Sequence, residues 1–276
     1  MCAMTFKIIG DPKPELLIDP GHGGKDPGAS GNGIIEKLLT LAISLYQYNR
    51  FKELGVRVAL TRDSDVTLDS NARALLVKNS GAKYCISNHI NAAASASAAG
   101  VETIHSIHNN GKLATALMQA IADAGQLKRS RPVFSKPNTS GGDYYYMHRL
   151  TGNASTVIVE YGFCSNPADA ARLLANWQAY AESVVKAYCL FVGHKYTPPA
   201  GMTQPPVTPP TTQPAQPLAP AAPVSDQVNI HVNGKLLDQK GTLKNGVTTV
   251  PVRAVAEALG AKVTWDAATR TVNIDK

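Results

Sequence analysis

The chain has 276 residues and a mass of 29.2 kDa, and its 44% hydrophobic and 17% charged residues exclude a disordered or fibrous protein. No apolar run reaches the ~18–20 residues of a membrane-spanning helix. The formal charge of +7 is spread along the chain without a dense basic block, which argues against nucleic acid. It favours a diffuse attraction to an anionic surface such as a bacterial wall polymer, and improved solubility is an equal alternative.

Residues 1–196 alternate strand and helix signals. In the first helix, apolar residues recur at near-helical spacing, and Gly55 ends it; they are Leu38, Leu39, Ala42, Leu45 and Phe51. Ser70 is the expected cap of the second helix. The βαβα order predicts an α/β domain with a twisted, mainly parallel sheet flanked by helices. The expected strands are 16–18, 56–60, 84–87, 101–107 and 156–161, and the expected helices are 36–54, 70–78, 112–124 and one or two within 166–191.

Residues 197–225 differ from the rest of the chain, because 197–224 contain ten prolines and no charge. Proline fixes φ and removes a backbone donor, so this segment is expected to be a semi-rigid linker. Residues 226–276 then predict a small α+β domain with a hairpin turn at Asn233-Gly234, a helix over 252–259 and a second hairpin. This domain has no set of acid, base and nucleophile, which indicates a binding module.

The four cysteines form no Cys-x-x-Cys pair, so neither a thiolate metal site nor a disulfide framework is expected. Cys85 lies in an apolar run and is expected to be a small core residue. The segment MCAMTFKIIGDPKPELL lacks the apolar core of a secretory signal. We therefore expect synthesis in the cytoplasm without a signal peptide, unless a leader has been removed, and this does not exclude action outside the cell.

Four residues have the setting that catalytic chemistry needs. His22, His89 and Glu160 stand at or just past the carboxyl ends of predicted strands, and Glu36 begins the helix after the first strand. In a parallel sheet these ends share one edge, where ligand crevices form. Two imidazoles and one carboxylate make a catalytic zinc set with the fourth position left to water. The remaining carboxylate would serve as a base beside that water.

Each of these residues also has an ordinary structural interpretation. A histidine at a strand end is more often a hydrogen-bonded polar residue than a ligand, and Glu36 could simply be an acid at a helix N-terminus. Glu160 follows Val157-Ile158-Val159, where an unpaired carboxylate is costly, so a metal or hydrogen bonds are needed to explain it. From spacing alone, the metal site and these alternatives have about even weight.

A resemblance changes that weight. Four features together resemble the zinc-dependent N-acetylmuramoyl-L-alanine amidases of the amidase-3 family, in order and spacing across about residues 15–190. Arg73 also lies in a helix similar to the one before the second zinc histidine. At Asn88 and Ile90 the family more often has Ile and Ala, and this departure bears on substrate fit rather than on metal binding. The four features are LIDPGHGGKDPGA, the downstream Glu36, ISNHINA and VIVEYGFCSN.

The resemblance implies that His22, Glu36 and His89 hold Zn²⁺ and that Glu160 is the catalytic carboxylate. The implied reaction is hydrolysis of the amide between N-acetylmuramic acid and L-alanine of the peptidoglycan stem peptide by zinc-activated water. Lys25, Arg62, Arg73 and Arg149 are candidates for binding stem-peptide carboxylates, although solvated-surface roles are commoner for such residues. Residues 1–196 are thus expected to be the catalytic domain.

Residues 226–276 resemble the stalk domain also found at the N-terminus of copper amine oxidases, which implies a wall-binding or spacer module. One histidine and no cysteine cannot build a copper centre there. We expect a monomer that acts on the bacterial cell wall as a phage endolysin, with a bacterial autolysin of the same chemistry as the alternative. Two other classes stay open: a zinc peptidase that shortens wall stem peptides, and a non-catalytic wall-binding protein.

Overall fold

Nine short strands and five helices make up the first part of the chain in the computed structural model, which describes residues 6–199, 227–232, 235–244, 247–266, 269 and 271–275. The strands are β1 (Ile9–Gly10), β2 (Leu16–Pro20), β3 (Ser30–Gly31), β4 (Ile34–Ile35), β5 (Val58–Leu60), β6 (Tyr84–Asn91), β7 (Val101–His105), β8 (Lys128–Phe134) and β9 (Ser155–Phe163). The helices are α1 (Glu36–Glu53), α2 (Ser70–Ser80), α3 (Lys112–Asp123), α4 (Tyr146–Arg149) and α5 (Pro167–Val192).

Seven of these strands form one sheet in the order β1-β5-β2-β6-β9-β7-β8. The neighbouring pairs β5–β2, β2–β6, β6–β9 and β7–β8 are parallel, whereas β1 and β7 run antiparallel to β5 and β9. β3 and β4 form a separate hairpin. The expected mainly parallel sheet flanked by helices is confirmed, except that β1 and the β7–β8 pair run antiparallel to the other strands.

The core lies on both faces of the sheet. The larger apolar cluster packs α1, α3 and α5 against strand residues such as Ile18, Ile86 and Val159. The smaller cluster contains Leu17 and Cys85, both fully buried, which confirms Cys85 as a core residue. Successive strand residues point to opposite faces, so Cys85 and Ile86 divide between the two clusters as the period of two requires.

Helix α1 differs from its expectation, because its buried face is largely polar. Thr40, Ser44 and Gln47 are fully buried, whereas Leu38 is 48% exposed. The amide of Asn88 on β6 donates to Ser44 Oγ and Gln47 Oε1, both at 2.8 Å. Apolar residues of α1 also pack into the larger cluster, so hydrogen bonds to the strand and apolar contacts together bury this face of the helix.

Two capping residues are found at helix starts. The second helix is capped by Asp69, whose carboxylate accepts from the N–H of Ala72, and Ser70 is its first helical residue rather than its cap. Asn166 caps α5, with Pro167 at the first helical position. A proline fits there because that N–H has no partner within the helix. Residues 167–192 therefore form one helix rather than two.

The described residues form two compact units, one within residues 1–204 and one within 205–276. The expected linker, residues 197–225, lies outside the described residues except for 197–199, and the Asn233-Gly234 turn lies outside them as well. Within the described ranges, no helix is long and apolar enough to cross a membrane.

The second unit is strand-rich, as expected for a small α+β domain. Its antiparallel pairs are β10–β13, β13–β14, β11–β12 and β15–β16. Its elements are β10 (Gln227–Val228), β11 (His231–Val232), β12 (Lys235–Leu236), β13 (Gly241–Lys244), β14 (Val247–Thr249), α6 (Val252–Ala258), β15 (Lys262–Asp266) and β16 (Thr271–Asp275).

Candidate metal centre

His22, Glu36 and His89 come together at the carboxyl ends of β2 and β6. His22 Nε2 lies 3.2 Å and His89 Nδ1 lies 2.9 Å from the same oxygen, Oε1 of Glu36. One donor atom from each residue lies within 4.8 Å of the other two, a spacing that could hold a metal ion. Three segments far apart in sequence thus provide two imidazole nitrogens and one carboxylate oxygen at one place.

The position of Glu36 depends on backbone amides of two other segments. Its Oε2 accepts the N–H of Ala29 at 2.7 Å, and its Oε1 accepts the N–H of Ile90 at 3.0 Å. The side chain is 4% exposed. Hydrogen bonds therefore tie Glu36 to a loop and to β6. An acid that only stabilised the N-terminus of its own helix would not need these contacts.

Hydrogen bonds and charge set the ionisation of this cluster. Burial alone raises the pKa of the Glu36 carboxyl, but hydrogen bonds and charges from His22 and His89 outweigh it and hold this pKa well below its ordinary value. Burial lowers the pKa of His22, but Glu36 and Asp26 outweigh that effect and raise it. Glu36 is thus a carboxylate, the form that ligates metals.

Asp26 orients the ring of His22, and sequence reasoning missed it. Its Oδ2 lies 2.8 Å from Nδ1 of His22, which leaves Nε2 directed at Glu36. A carboxylate on the second ring nitrogen is a common partner of a metal-binding histidine because it fixes the tautomer and the ring orientation. The signal was the spacing of four residues between His22 and an acid in the loop.

Two glycines make room for the cluster. A Cβ at Gly21 would lie 2.4 Å from Cε1 of His89, and a Cβ at Gly28 would lie 2.5 Å from Oε2 of Glu36. Gly28 also has φ +65°, a conformation that side chains disfavour. Any larger residue at either position would displace a donor atom.

A buried polar layer supports the His22 loop. The carboxylate of Asp19 is fully buried and accepts from Arg73 Nη1 at 2.6 Å, from Thr61 at 2.6 Å and from Ser87 at 2.7 Å. Burial raises the pKa of Asp19, but the Arg73 charge and the two hydroxyls outweigh it and lower this pKa. Arg73 also donates to the carbonyl of His22 at 2.7 Å.

Two cations considered for substrate binding are interior residues. Arg73 is 3% exposed and Arg62 is 1% exposed. The guanidinium of Arg62 donates to the carbonyls of Pro20 and Gly21 at 3.1 and 2.9 Å. Both the substrate role and the solvated-surface role are therefore wrong for Arg62 and Arg73, because their donors are used to hold the loop that carries His22.

Glu160 lies on β9 beside the cluster. It pairs in register with His89 of β6 on one side and with Glu102 of β7 on the other. Residues directly opposite each other in neighbouring strands share a face of the sheet, so Glu160 points to the same side as His89. Its Oε2 is buried and, among the described residues, has no hydrogen-bond partner.

The environment of Glu160 favours its protonated form. Burial raises its pKa well above the ordinary value, and the charges of Glu36 and Glu102 act in the same direction. A carboxyl with a raised pKa beside a candidate metal cluster is suited to accept and return a proton near neutral pH.

Glu102 is a second residue that sequence reasoning missed. Asn91 donates to its Oε1 at 2.7 Å, and Arg129 Nε lies 3.1 Å from its Oε2. It lies next to Glu160 only because β7 runs antiparallel to β9, an arrangement that no local spacing indicates.

The departures at Asn88 and Ile90 do not concern substrate fit. Asn88 is fully buried and Ile90 is 1% exposed. The hydroxyl of Tyr161 donates to Asn88 Oδ1 at 3.1 Å and accepts from Gln47 Nε2 at 2.8 Å. The polar residue on β6 is thus matched by polar residues on α1 and β9.

Comparisons with known proteins agree on the first unit. The N-acetylmuramoyl-L-alanine amidase family matches residues 16–192, and the copper amine oxidase N-terminal domain family matches residues 226–276. The chain is 29% identical over 200 residues to the germination-specific N-acetylmuramoyl-L-alanine amidase of Bacillus subtilis, covering 67% of this chain and 82% of that protein.

A phage protein and a solved structure extend this similarity. The endolysin of Bacillus phage SPP1 is 32% identical over 163 residues, which cover 57% of this chain and 58% of the endolysin. The catalytic domain of CwlV, an N-acetylmuramoyl-L-alanine amidase from Bacillus (Paenibacillus) polymyxa, superposes with a TM-score of 0.58 at 25% identity. That match covers 65% of this chain and 98% of the solved domain.

Proposed function

Because the chain belongs to the N-acetylmuramoyl-L-alanine amidase family and has that enzyme activity, we propose that His22, Glu36 and His89 hold a catalytic zinc ion and that Glu160 moves the proton. The observation that carries the proposal is the convergence of three donor atoms within 4.8 Å of one another, with Glu160 in register beside His89. Peptidoglycan is the proposed substrate, and the scissile bond joins N-acetylmuramic acid to L-alanine.

The donor set fits zinc. Two imidazole nitrogens and one carboxylate oxygen are the ligands of a catalytic zinc site that keeps one position open. The buried Oε2 of Glu160, which has no hydrogen-bond partner among the residues that the structure describes, also fits a site where polar contacts are completed by a ligand. Zinc bound there would lower the pKa of water to about 7 and polarise the amide carbonyl.

Glu160 performs the proton transfers in this proposal. Its carboxylate accepts a proton from the water whose oxygen attacks the amide carbon. It then donates that proton to the nitrogen of L-alanine as the carbon–nitrogen bond breaks. The raised pKa suits both steps, because the group can be deprotonated for the first and protonated for the second.

The substitution Glu160→Gln tests this role. We expect loss of amide hydrolysis by about 10²- to 10⁴-fold, because a general base is removed while the shape is kept. Zinc content, measured by atomic emission after dialysis, should stay equal to that of the unmodified protein. His89→Ala is the matched variant and should lose zinc as well as activity. A Glu160→Gln protein that still hydrolyses walls would contradict the assignment.

Product analysis separates the amidase from a zinc peptidase with the same ligands. Digestion of purified peptidoglycan should release new L-alanine amino termini and intact stem peptides. Shortened stem peptides without new L-alanine termini would identify a peptidase instead.

For the second unit we propose attachment to the cell wall. Its support is the match of residues 226–276 to a domain family other than that of the catalytic unit. This segment contains one histidine and no cysteine, so copper binding is not proposed. The relatives include bacterial amidases and a phage endolysin. We therefore propose action on the bacterial cell wall, which applies to an endolysin and to an autolysin alike. We propose that the protein acts as a monomer.

A further inference from the structure

An open cleft of about 540 Å³ lies near the amino ends of the central strands, at the end of the sheet opposite the metal centre. Glu15 and Lys83, which line it, precede the amino ends of β2 and β6, whereas His22 and His89 lie at the carboxyl ends of the same strands. β6 has eight residues. Lys83 and His89 are six residues apart, so at a rise of about 3.3 Å per residue the two sites are about 20 Å apart.

The cleft carries an excess of positive charge. Lys13, Arg57 and Lys83 line it and are exposed. Glu15 is its one acidic lining residue, and its carboxylate is already engaged by His194 Nε2 at 2.6 Å and by Arg57 at 3.9 Å. Across the ranges that the structure describes, neither Lys13 nor Lys83 has an acidic group within 4.0 Å.

The end of α2 explains only part of this charge. Ser80 and Gly81 line the cleft, and the carbonyl end of a helix favours a nearby cation. One such terminus carries about half an elementary charge, whereas the three cations less the one carboxylate of Glu15 leave two positive charges in the cleft. The remaining positive charge is suited to a bound anion.

A second compartment of about 310 Å³ shares Lys83 and Tyr84 with the cleft. The rings of Tyr84 and Phe191 pack edge to face at 6.0 Å, and Phe191 is 38% exposed. Amide and hydroxyl groups offer both donors and acceptors here. Sugar hydroxyls can bond to such groups, while the apolar face of a sugar ring can pack on the aromatic surface beside them. The polar lining residues of this compartment are Asn109, Asn110, Asn153 and Ser155.

We propose that the two compartments form one groove that binds an anionic saccharide polymer of the cell wall. Its sugar units would contact Tyr84 and Phe191, and its phosphate or carboxylate groups would contact Lys13, Arg57 and Lys83. The proposal rests on the proposed function in one respect: it assumes that the protein acts at the cell wall, where such a polymer is found. Amide hydrolysis takes place at the other edge of the sheet and does not require the groove.

Lysine footprinting of the full chain tests the proposal. Acetylation rates of individual lysines are measured by mass spectrometry without a probe and with each of three probes. These are a lipid-free glycerol-phosphate wall polymer that carries sugar substituents, phosphate-free peptidoglycan fragments, and a neutral N-acetylglucosamine hexamer. We expect an anionic polymer to protect Lys13 and Lys83. The controls are Lys52 and Lys186, whose ammonium groups lie 5.2 and 6.0 Å from tyrosine ring centres, much as that of Lys83 lies 5.4 Å from the centre of Tyr84.

The outcomes of this experiment are distinct. Protection by the glycerol-phosphate polymer alone identifies phosphate as the anion, and protection by peptidoglycan fragments identifies carboxylate. Equal protection of the controls, or no protection of Lys13 and Lys83 by either anionic probe, overturns the proposal. Protection by the neutral hexamer as strong as that by both anionic probes would also overturn it.

Matched variants measure the contribution of the groove to affinity. The triple variant K13Q/R57Q/K83Q should weaken binding of the protecting polymer about tenfold, since three exposed contacts of a few tenths of a kcal/mol each are lost. Phe191→Ala should weaken it too, whereas Leu190→Ala, which truncates the exposed neighbour, should not. Affinities equal to those of K52Q/K186Q and Leu190→Ala would refute the groove. Hydrolysis of a soluble muropeptide by the triple variant should be unchanged, which separates this result from a failure of the amidase proposal.

Discussion

Asp26 contacts His22 on the ring nitrogen that faces away from Glu36. We expect Asp26→Asn to weaken zinc binding about 10- to 100-fold, because the acceptor that fixes the tautomer of His22 becomes a weaker one. The measurement is a competition titration with a chelator of known affinity. Asp63→Asn, which changes an exposed carboxylate in a nearby loop, is the control. Equal zinc affinity of the two variants would rule out this role of Asp26.

Asp19 gives stability a defined dependence on pH. Its pKa is lowered in the folded protein, so the ionised carboxylate stabilises the fold above its ordinary pKa of about 3.9. This contribution is lost as pH falls through the lower pKa of the folded state. Asp19→Asn should cost about 3–5 kcal/mol at pH 7, because Arg73 is left buried without its charge partner.

Urea unfolding at several pH values checks this expectation. The difference in unfolding free energy between the Asp19→Asn variant and the unmodified protein should narrow on acidification below about pH 4. Asp63→Asn should change the free energy at pH 7 by less than about 0.5 kcal/mol. A difference that stays constant from pH 7 to pH 3 would contradict the link to the Asp19 carboxylate.

At the scale of elements, a buried polar network joins β6 to α1 in addition to their apolar contacts. Asn88→Ile should destabilise the protein by about 1–3 kcal/mol, because Ser44, Gln47 and Tyr161 lose a buried hydrogen-bond partner. Adding Gln47→Leu should lower the unfolding free energy less in the Asn88→Ile variant than in the unmodified protein. A double-mutant cycle from thermal or urea unfolding measures this coupling. Strictly additive free energies would show that the two side chains act independently.

The strands and helices that the sequence pattern predicted are those with strong local signals. β9 is a run of β-branched residues, and α5 has Asn166 and Pro167 at its start. β8 was missed because KRSRPVF has no regular alternation and is mostly partly exposed. Most of the apolar residues of α1 pack against the core as their spacing indicated, although Leu38 does not, but the buried polar residues of this helix were not predicted because their partners, Asn88 and Tyr161, come from distant strands.

The candidate site was predictable for a different reason. His22, His89 and Glu160 follow the rule that parallel strands end at one edge, so their proximity needed only the strand assignments. Glu102 needed the knowledge that β7 runs antiparallel to β9, which depends on tertiary packing. Arg62 and Arg73 were expected at the surface because cations are seldom buried. They are buried here because hydrogen bonds to loop carbonyls compensate for the loss of water contacts.

At the scale of the whole molecule, the two units are expected to divide hydrolysis and wall attachment. A chain ending at Pro199 should hydrolyse soluble muropeptides at the full rate but sediment less with insoluble walls. Ending there keeps Thr197, whose carbonyl accepts from Arg50 Nη2 at 2.8 Å, so the first unit retains this contact. Wall sedimentation equal to that of the full chain would remove the attachment role from residues 226–276.

The amide groups of Ala29 and Ile90 hold Glu36 in place through contacts that the polypeptide itself supplies. The entropy of gathering the donor atoms is therefore lost when the polypeptide folds. Zinc fingers behave differently, since their chains become ordered only as the ion arrives. On the proposed zinc assignment, loading would be an exchange of protons for metal on an already assembled framework, and folding would not have to wait for the ion.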